Sequence, residues 1–448
     1  MRYLRLFAIF LLITNPAYAG GLIRDAEIEN TLRNFSYPIF KAAGLKPTAV
    51  NIFMVQDDSL NAFVAGGQNL FLHTGLIMQT TSPDMLMGVI AHETGHMAGG
   101  HLAKGGEKLK DAQLGTIMAT VLGAAAAAVS GKPEAAAVVL GGASNSVERN
   151  FLSFSRANEN AADQAALGYM DKIGASSTGM IKMFTLLRQQ ERRRLGKPDP
   201  YLMTHPLGND RIALVQAHVD RSSIPPGAYP PALKEEHARM VAKLYAFIEK
   251  PEKTLRTYPA NDNSVAARMA RAVAFFMQAK VDEAETIMIG LLKEHPDDAY
   301  LYDLMGQIMF ESARIDKAHA AYSKAVKLKP NEPLILAELA KVELARNTPA
   351  DTSSAVAHLE RSLNIDRENA GAWRLLATAY GKQNNAGMAS LALAEESLLI
   401  GDDREATAHA EKAIERLAAS SPARQRAEDA KVRAAQIRKE RRDAENMF

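Results

Sequence analysis

The chain has 448 residues, with 53 Lys and Arg against 51 Asp and Glu for a formal charge of +2. At roughly 100–200 residues per domain it divides into two to four domains, and 47% hydrophobic with 23% charged residues describes a globular protein, neither disordered nor a multi-span membrane chain. The charge balance gives no basic face for nucleic acid, and the absence of cysteine excludes thiolate catalysis, iron–sulfur clusters and Cys-held zinc, so any metal must be held by His, Asp or Glu.

The first elements read as a targeting segment. Arg2 and Arg5 precede the apolar run Leu6 to Ile13, and Pro16 is followed by Ala17-Tyr18-Ala19, a small-x-small cleavage pattern. Cleavage after Ala19 is expected, which makes residues 1–19 a signal peptide and the mature chain a periplasmic, exported protein. An uncleaved anchor is disfavoured because the apolar run is too short to span a bilayer.

From Thr48 to Leu72 the pattern is strand-like. Val50, Ile52 and Met54 alternate with other residues, and Asn61-Ala62-Phe63-Val64 and Asn69-Leu70-Phe71-Leu72 flank Gly66-Gly67, which predicts a small antiparallel sheet ending near His73, read as structural. Pro83 and Asp84 open a helix expected from Met85 to about Lys104. Two uncharged Ala-rich runs follow, Ala112 to Gly131 and Ala135 to Val147. By length the first could cross a membrane; its Ala and Gly content points to a helical hairpin packed on the domain, with peripheral membrane contact as the alternative. A further helix is expected from Ser155 to Ile173, and the Pro-rich stretch Ile224 to Pro231 marks a boundary.

Beyond Asn261 the chain repeats. Counting 34 residues forward, Ala272 maps to Gly306, Ala284 to Ala318, Met288 to Tyr322, Leu291 to Ala325 and Pro296 to Pro330, the spacing of the tetratricopeptide repeat. Leu336, Leu339 and Ala340 open a third copy whose Ala355 and Leu359 arrive three residues late, as if Thr348-Pro349-Ala350 lengthened the turn. Trp373, Leu376, Ala377 and Tyr380 open a fourth copy. Arg404 to Leu417 reads as the second half of a last unit, and the charged run Arg424 to Glu445 as the solvated cap such a stack needs. The division is therefore residues 20–224 as catalytic domain, 225–260 as linker and helical connection, and 261–448 as repeats with a capping helix.

The strongest chemical signal is His92-Glu93-Thr94-Gly95-His96, an H-E-x-x-H on a predicted helix. Four residues advance a helix by about 400°, so both imidazoles leave one face and can share a metal ion, and Glu93 on the flank reaches a water instead. Such ligands suit Zn²⁺. A third ligand is required. His101 is one register short of the H-E-x-x-H-x-x-G-x-x-H pattern, whose last position here is Leu102. Glu159, in Ser155 to Asp163, is the better candidate, with Asp163 one turn on placed to accept the other ring N–H of His92.

These residues resemble a known family, the zinc endopeptidases that include HtpX and the CAAX prenyl proteases, and within it the exported BepA-like proteins that carry tetratricopeptide repeats. The resemblance rests on Asn61-Ala62-Phe63, on His92 to His96 with His101 following, on Ser155-Arg156 through Glu159 to Asp163, and on Thr204-His205-Pro206 with Arg211. It implies that His92, His96 and Glu159 bind one zinc per chain and that His205 and Arg211 lie near the metal to steady substrate or a developing oxyanion. His205 could instead fill the fourth zinc position in a resting state. The fold implied is mainly α: a zincin-like α+β metalloprotease domain with a small antiparallel sheet, followed by an α-solenoid of tetratricopeptide repeats.

The expected function is zinc-dependent endopeptidase action on unfolded or misassembled envelope proteins, with Glu93 as base and substrate backbone added to the sheet edge near Asn61 to Leu72. The resemblance further implies outer-membrane β-barrel proteins as clients and contact with the β-barrel assembly machinery. The competing reading is a chaperone or assembly adaptor in which the repeat groove does the work and the zinc site is vestigial or closed.

Overall fold

The computed structural model describes residues 21–101, 156–193 and 200–445. The targeting segment and both Ala-rich runs lie outside the described residues.

Helix α1, Ala26–Ala42, starts where the Asp25 carboxylate accepts the Ile28 amide at 2.9 Å, the usual capping of an orphan N-terminal donor. Its buried face, Ile28, Leu32, Phe35 and Ile39, covers a four-stranded sheet made of β1 (Leu22–Ile23), β2 (Asn51–Val55), β3 (Ala62–Ala65) and β4 (Asn69–His73) in the order β1-β2-β4-β3. The expectation of a purely antiparallel sheet needs correction, because β2 and β4 pair in parallel. The hairpin over Gly66-Gly67 makes β3 and β4 antiparallel, but the chain crosses beyond β4 before entering β3. It therefore returns along β4 in the direction of β2. Phe71 faces both neighbours, stacked on Phe53 at 5.0 Å and on Phe63 at 4.8 Å, which pins the register of all three strands.

Helices α2 (Thr74–Gln79) and α3 (Pro83–Ala98) follow. α3 is buried from Pro83 through His96, packed among α1, β3, α4 (Arg156–Lys172) and α5 (Thr178–Arg193). It stops short of the expected Lys104, because Gly99 caps it and Gly100 turns left-handed at φ +61°. Two more helices, α6 (Pro200–Thr204) and α7 (Asn209–Arg221), complete the N-terminal core.

The segment after the Pro-rich stretch is largely helical: α8 (Ala232–Ile248) and α9 (Pro251–Thr257). α8 belongs to both halves of the molecule. Leu233, Met240 and Leu244 lie in the N-terminal core, while Ala242 and Ala246 lie in the core of the repeats.

The repeats are paired helices: α10 (Val265–Met277) with α11 (Val281–Glu294), α12 (Ala299–Glu311) with α13 (Ile315–Leu328), α14 (Pro333–Arg346) with α15 (Pro349–Ile365), and α16 (Ala370–Lys382) with α17 (Ala386–Leu399). The 34-residue step holds from α10 to α14 and from α11 to α15. α15 therefore begins on time, and the three extra residues lengthen it to 17 where α13 has 14. The turn is not longer, because Thr348 caps the helix by accepting the Asp351 amide. α18 (Asp403–Arg416) packs between α17 and the last helix, α19 (Pro422–Glu445), which among the described residues buries only Ala427, Ala430 and Ala434 beneath its charged face.

The halves also meet through charge. Lys243 of α8, 1% exposed, lies 2.7 Å from Asp25 and 3.4 Å from Glu27 at the start of α1, and 4.0 Å from Asp303 of α12. Arg239 joins Glu27 at 2.6 Å, and also Asp298 at 2.5 Å. Arg24 reaches Asp366 at 2.7 Å.

Candidate metal centre

The site forms where α3 and α4 touch. A Cβ on Gly95 would lie 2.8 Å from the Ala162 carbonyl oxygen, so only glycine lets these two backbones come so close. That approach sets His92 and His96, one turn apart on α3, against Glu159 and Asp163, one turn apart on α4. All four are buried. His92 Nε2 and His96 Nε2 face each other at 3.1 Å. Glu159 Oε1 is 3.2 Å from His96 Nε2, and Glu159 Oε2 is 3.5 Å from His92 Nε2.

His205, held at the end of α6 by its amide on the Tyr201 carbonyl at 2.7 Å, closes the fourth corner. Its Nδ1 lies 3.1 Å from Glu159 Oε1 and 3.4 Å from His92 Nε2. These separations match the edge of a tetrahedron around an ion with bonds of about 2.0 Å, which is about 3.3 Å. Imidazole nitrogen with carboxylate oxygen is a donor set suited to zinc, and the residues fit a metal of that kind.

Glu93 stands apart from this cage. Neither of its buried carboxylate oxygens has a hydrogen-bond partner among the described residues, and Oε1 is 3.5 Å from His205 Nε2. Burial drives its pKa up, against the pull of His205 and His92. Burial keeps His96 neutral, at about 3, against Glu159; the neutral ring is the form that ligates. At His92 burial is outweighed by Asp163 and Glu159, which lift it to about 9, so the two carboxylates attract a cation to this corner. Glu159 is held far below the usual carboxylate range: the hydrogen bonds from His205, His92 and His96 overcome its burial.

Asp163 does what its spacing on α4 suggests: its Oδ1 accepts from His92 Nδ1 at 2.8 Å, which points Nε2 into the cage. Arg211 is placed differently from the expected oxyanion helper. It is 3% exposed, with Nε and Nη2 on Asp163 at 2.6 and 2.9 Å, and Nη1 on Glu159 at 2.6 Å and on the Pro206 carbonyl at 3.0 Å. Its donors are engaged in holding carboxylates. His101 sits behind His96, Nδ1 to Nδ1 at 3.1 Å, outside the cage. His73, expected to be structural, is bonded to Ser59 Oγ at 2.9 Å. Sequence reasoning missed Tyr201, whose ring stacks on His205 at 4.6 Å; its position four residues before His205 on a short helix was the available signal.

Residues 23–219 match peptidase family M48, and residues 264–407 match the cytochrome c-type biogenesis protein H TPR domain. The N-terminal half is thus similar to peptidases of the M48 type, and the C-terminal half to a tetratricopeptide-like solenoid. Across most of its length it is similar to proteins named beta-barrel assembly-enhancing protease. The Yersinia pestis protein is 25% identical over 407 residues, covering 86% of this chain and 78% of the relative. The Escherichia coli (strain K12) protein is 24% identical over 402 residues, with the same coverage of 86% and 78%. Among solved structures the chain is similar to the crystal structure of MamA, with a TM-score of 0.29 and 14% identity over 38% of this chain and 96% of that one. Among the described residues no helix is long and apolar enough to cross a membrane.

Proposed function

We propose that this protein is an exported, zinc-dependent endopeptidase of the periplasm that hydrolyses unfolded or misassembled outer-membrane β-barrel proteins, with its repeats recruiting clients or the assembly machinery. The observation that carries the reading is the buried cage of His92, His96, Glu159 and His205 beside an unpartnered Glu93 carboxylate. Relatives named for enhancing β-barrel assembly support the client class, and the match to family M48 supports the chemistry.

In this reading His92, His96 and Glu159 hold the ion. When bound, zinc supplies Lewis acidity that polarises a peptide carbonyl and acidifies a neighbouring water. Glu93 takes the proton from that water and returns it to the leaving amine, a role its burial-raised pKa suits. Asp163 fixes the tautomer of His92, and Arg211 holds Asp163 and Glu159 in register. Substrate backbone adds to β3, the strand at the end of the sheet nearest α3. Glu93→Gln is expected to keep zinc and fold while peptide hydrolysis falls by about 10²–10⁴-fold. Cleavage of unfolded protein at the wild-type rate by this variant would refute the assignment.

A second reading concerns the resting state. His205 Nδ1 lies as close to Glu159 as a fourth ligand would, and the whole cage is buried, which favours a self-restrained site over an open one. His205→Ala is then expected to raise activity on unfolded substrates. A fall of about 10²–10³-fold would make His205 an oxyanion donor instead. Full silence of the site under all client conditions would favour the chaperone or adaptor role.

A further inference from the structure

In the repeat half, a groove of about 480 Å³ opens between α15, α16, α17 and α19. Its floor is apolar: Trp373, Leu376 and Leu391 line it, each 5% exposed or less. Its wall is cationic. The Arg426 guanidinium lies 5.4 Å over the Trp373 ring, where its Nε is buried and has no hydrogen-bond partner among the described residues. The side chain as a whole is 41% exposed, so its guanidinium can still meet an acceptor arriving from solvent.

The acceptor within the protein is already shared. Glu395 is 2.7 Å from Arg433, 3.3 Å from Arg426 and 4.0 Å from Arg367, the last of these exposed at the rim. One carboxylate among three guanidinium groups leaves positive charge over. The other acid of the groove, Glu360, accepts from the Tyr380 hydroxyl and keeps its charge, so two carboxylates stand against three guanidinium groups. An occupant must therefore bring an anionic acceptor and an apolar side chain within a few ångströms of each other. A chain-terminal residue does so on a single Cα, whereas an acidic side chain sets its carboxylate a residue away from the neighbouring apolar group.

We infer that this groove binds the free C-terminal end of an extended polypeptide whose last residue is aromatic or large and apolar. The α-carboxylate meets Arg426 and Arg367, and the side chain lies over Trp373 and Leu376. The inference deepens the recruiting role of the repeats proposed above and rests on it.

The test uses the full-length chain carrying Glu93→Gln, so that peptides are not cut, and fluorescence anisotropy of a labelled peptide ending in Phe. Three versions are compared: free acid, C-terminal amide, and an amide with Asp placed before the Phe. The free acid is expected to bind, with amidation and Arg426→Gln each weakening it by about tenfold or more, the scale of a hydrogen bond to a charged group. Met388→Glu, which sets a like charge in the groove, should weaken it as well, and thermal melts of both variants check the fold. Equal binding of free acid and amide, equal binding of the Asp amide, or no binding of any version would overturn the inference. A parallel capture assay with an unfolded outer-membrane β-barrel protein separates the two levels. Capture by the unaltered groove and by Arg426→Gln alike would sink the groove and spare recruitment, whereas no capture by either would sink recruitment itself.

Discussion

Gly95 is the second variable position of the H-E-x-x-H motif, and its importance is steric. With Ala162 Cα at 3.0 Å and its carbonyl oxygen at 2.8 Å from any added Cβ, Gly95→Ala must push α4 away from α3. Backbone cannot yield as a side chain can, so a cost of about 1–3 kcal/mol is expected. The displaced Glu159 and Asp163 should also weaken the proposed zinc site, and a chelator competition showing unchanged affinity would contradict this account. Much of the site is legible in the sequence because it lies on two helices with i, i+4 spacing: His92 with His96, and Glu159 with Asp163. What is not legible depends on how α6 and α7 pack against them. Tyr201 under His205 is signalled only by its i, i+4 spacing, and the turning of Arg211 to Asp163, Glu159 and Pro206 follows from tertiary placement that no local period records.

At the turn between paired helices, each of four repeats holds one residue in the left-handed region: Ala279, Ala313, Asn347 and Asn384, all at φ 58–59°. Asn tolerates that conformation, but an alanine Cβ crowds its own carbonyl there, by about 1–2 kcal/mol. Glycine would remove the crowding and give back part of the gain as chain entropy. Ala279→Gly and Ala313→Gly are each expected to stabilise the repeats by up to about 1 kcal/mol, seen as a higher melting temperature; a lower one would show that the turn is not strained. The repeat itself is legible because small residues recur every 34 positions. The extra length of the third copy is harder to place, since Thr348 caps a helix as readily as it extends a turn. The mixed sheet hides for a related reason: alternation in β2, β3 and β4 reveals strands and faces but carries no sign of direction.

The whole molecule is held by α8 and by the charged start of α1. Burial pushes Asp303 up to about 8, against the pull of Lys243, so near neutral pH Lys243 answers mainly to Asp25 and Glu27. Lys243→Ala leaves Asp25 without its buried cation and Glu27 with Arg239 alone, and is expected to cost up to about 3–5 kcal/mol. The loss should appear as melting of the repeats separately from the N-terminal half; one unchanged cooperative transition would show the network to be idle. These contacts also impose an order in time. A chain made from its N-terminus presents the residues of the metal centre, from His92 to Arg211, well before Asp298, Asp303 and Asp366 have been synthesised. The early half can thus gather the residues of its site while the surface proposed to recruit clients is still unborn. His205 is made in the same early stretch as the residues it meets, so on the self-restrained reading proposed above a newborn chain would carry its restraint through the interval in which it has no selector.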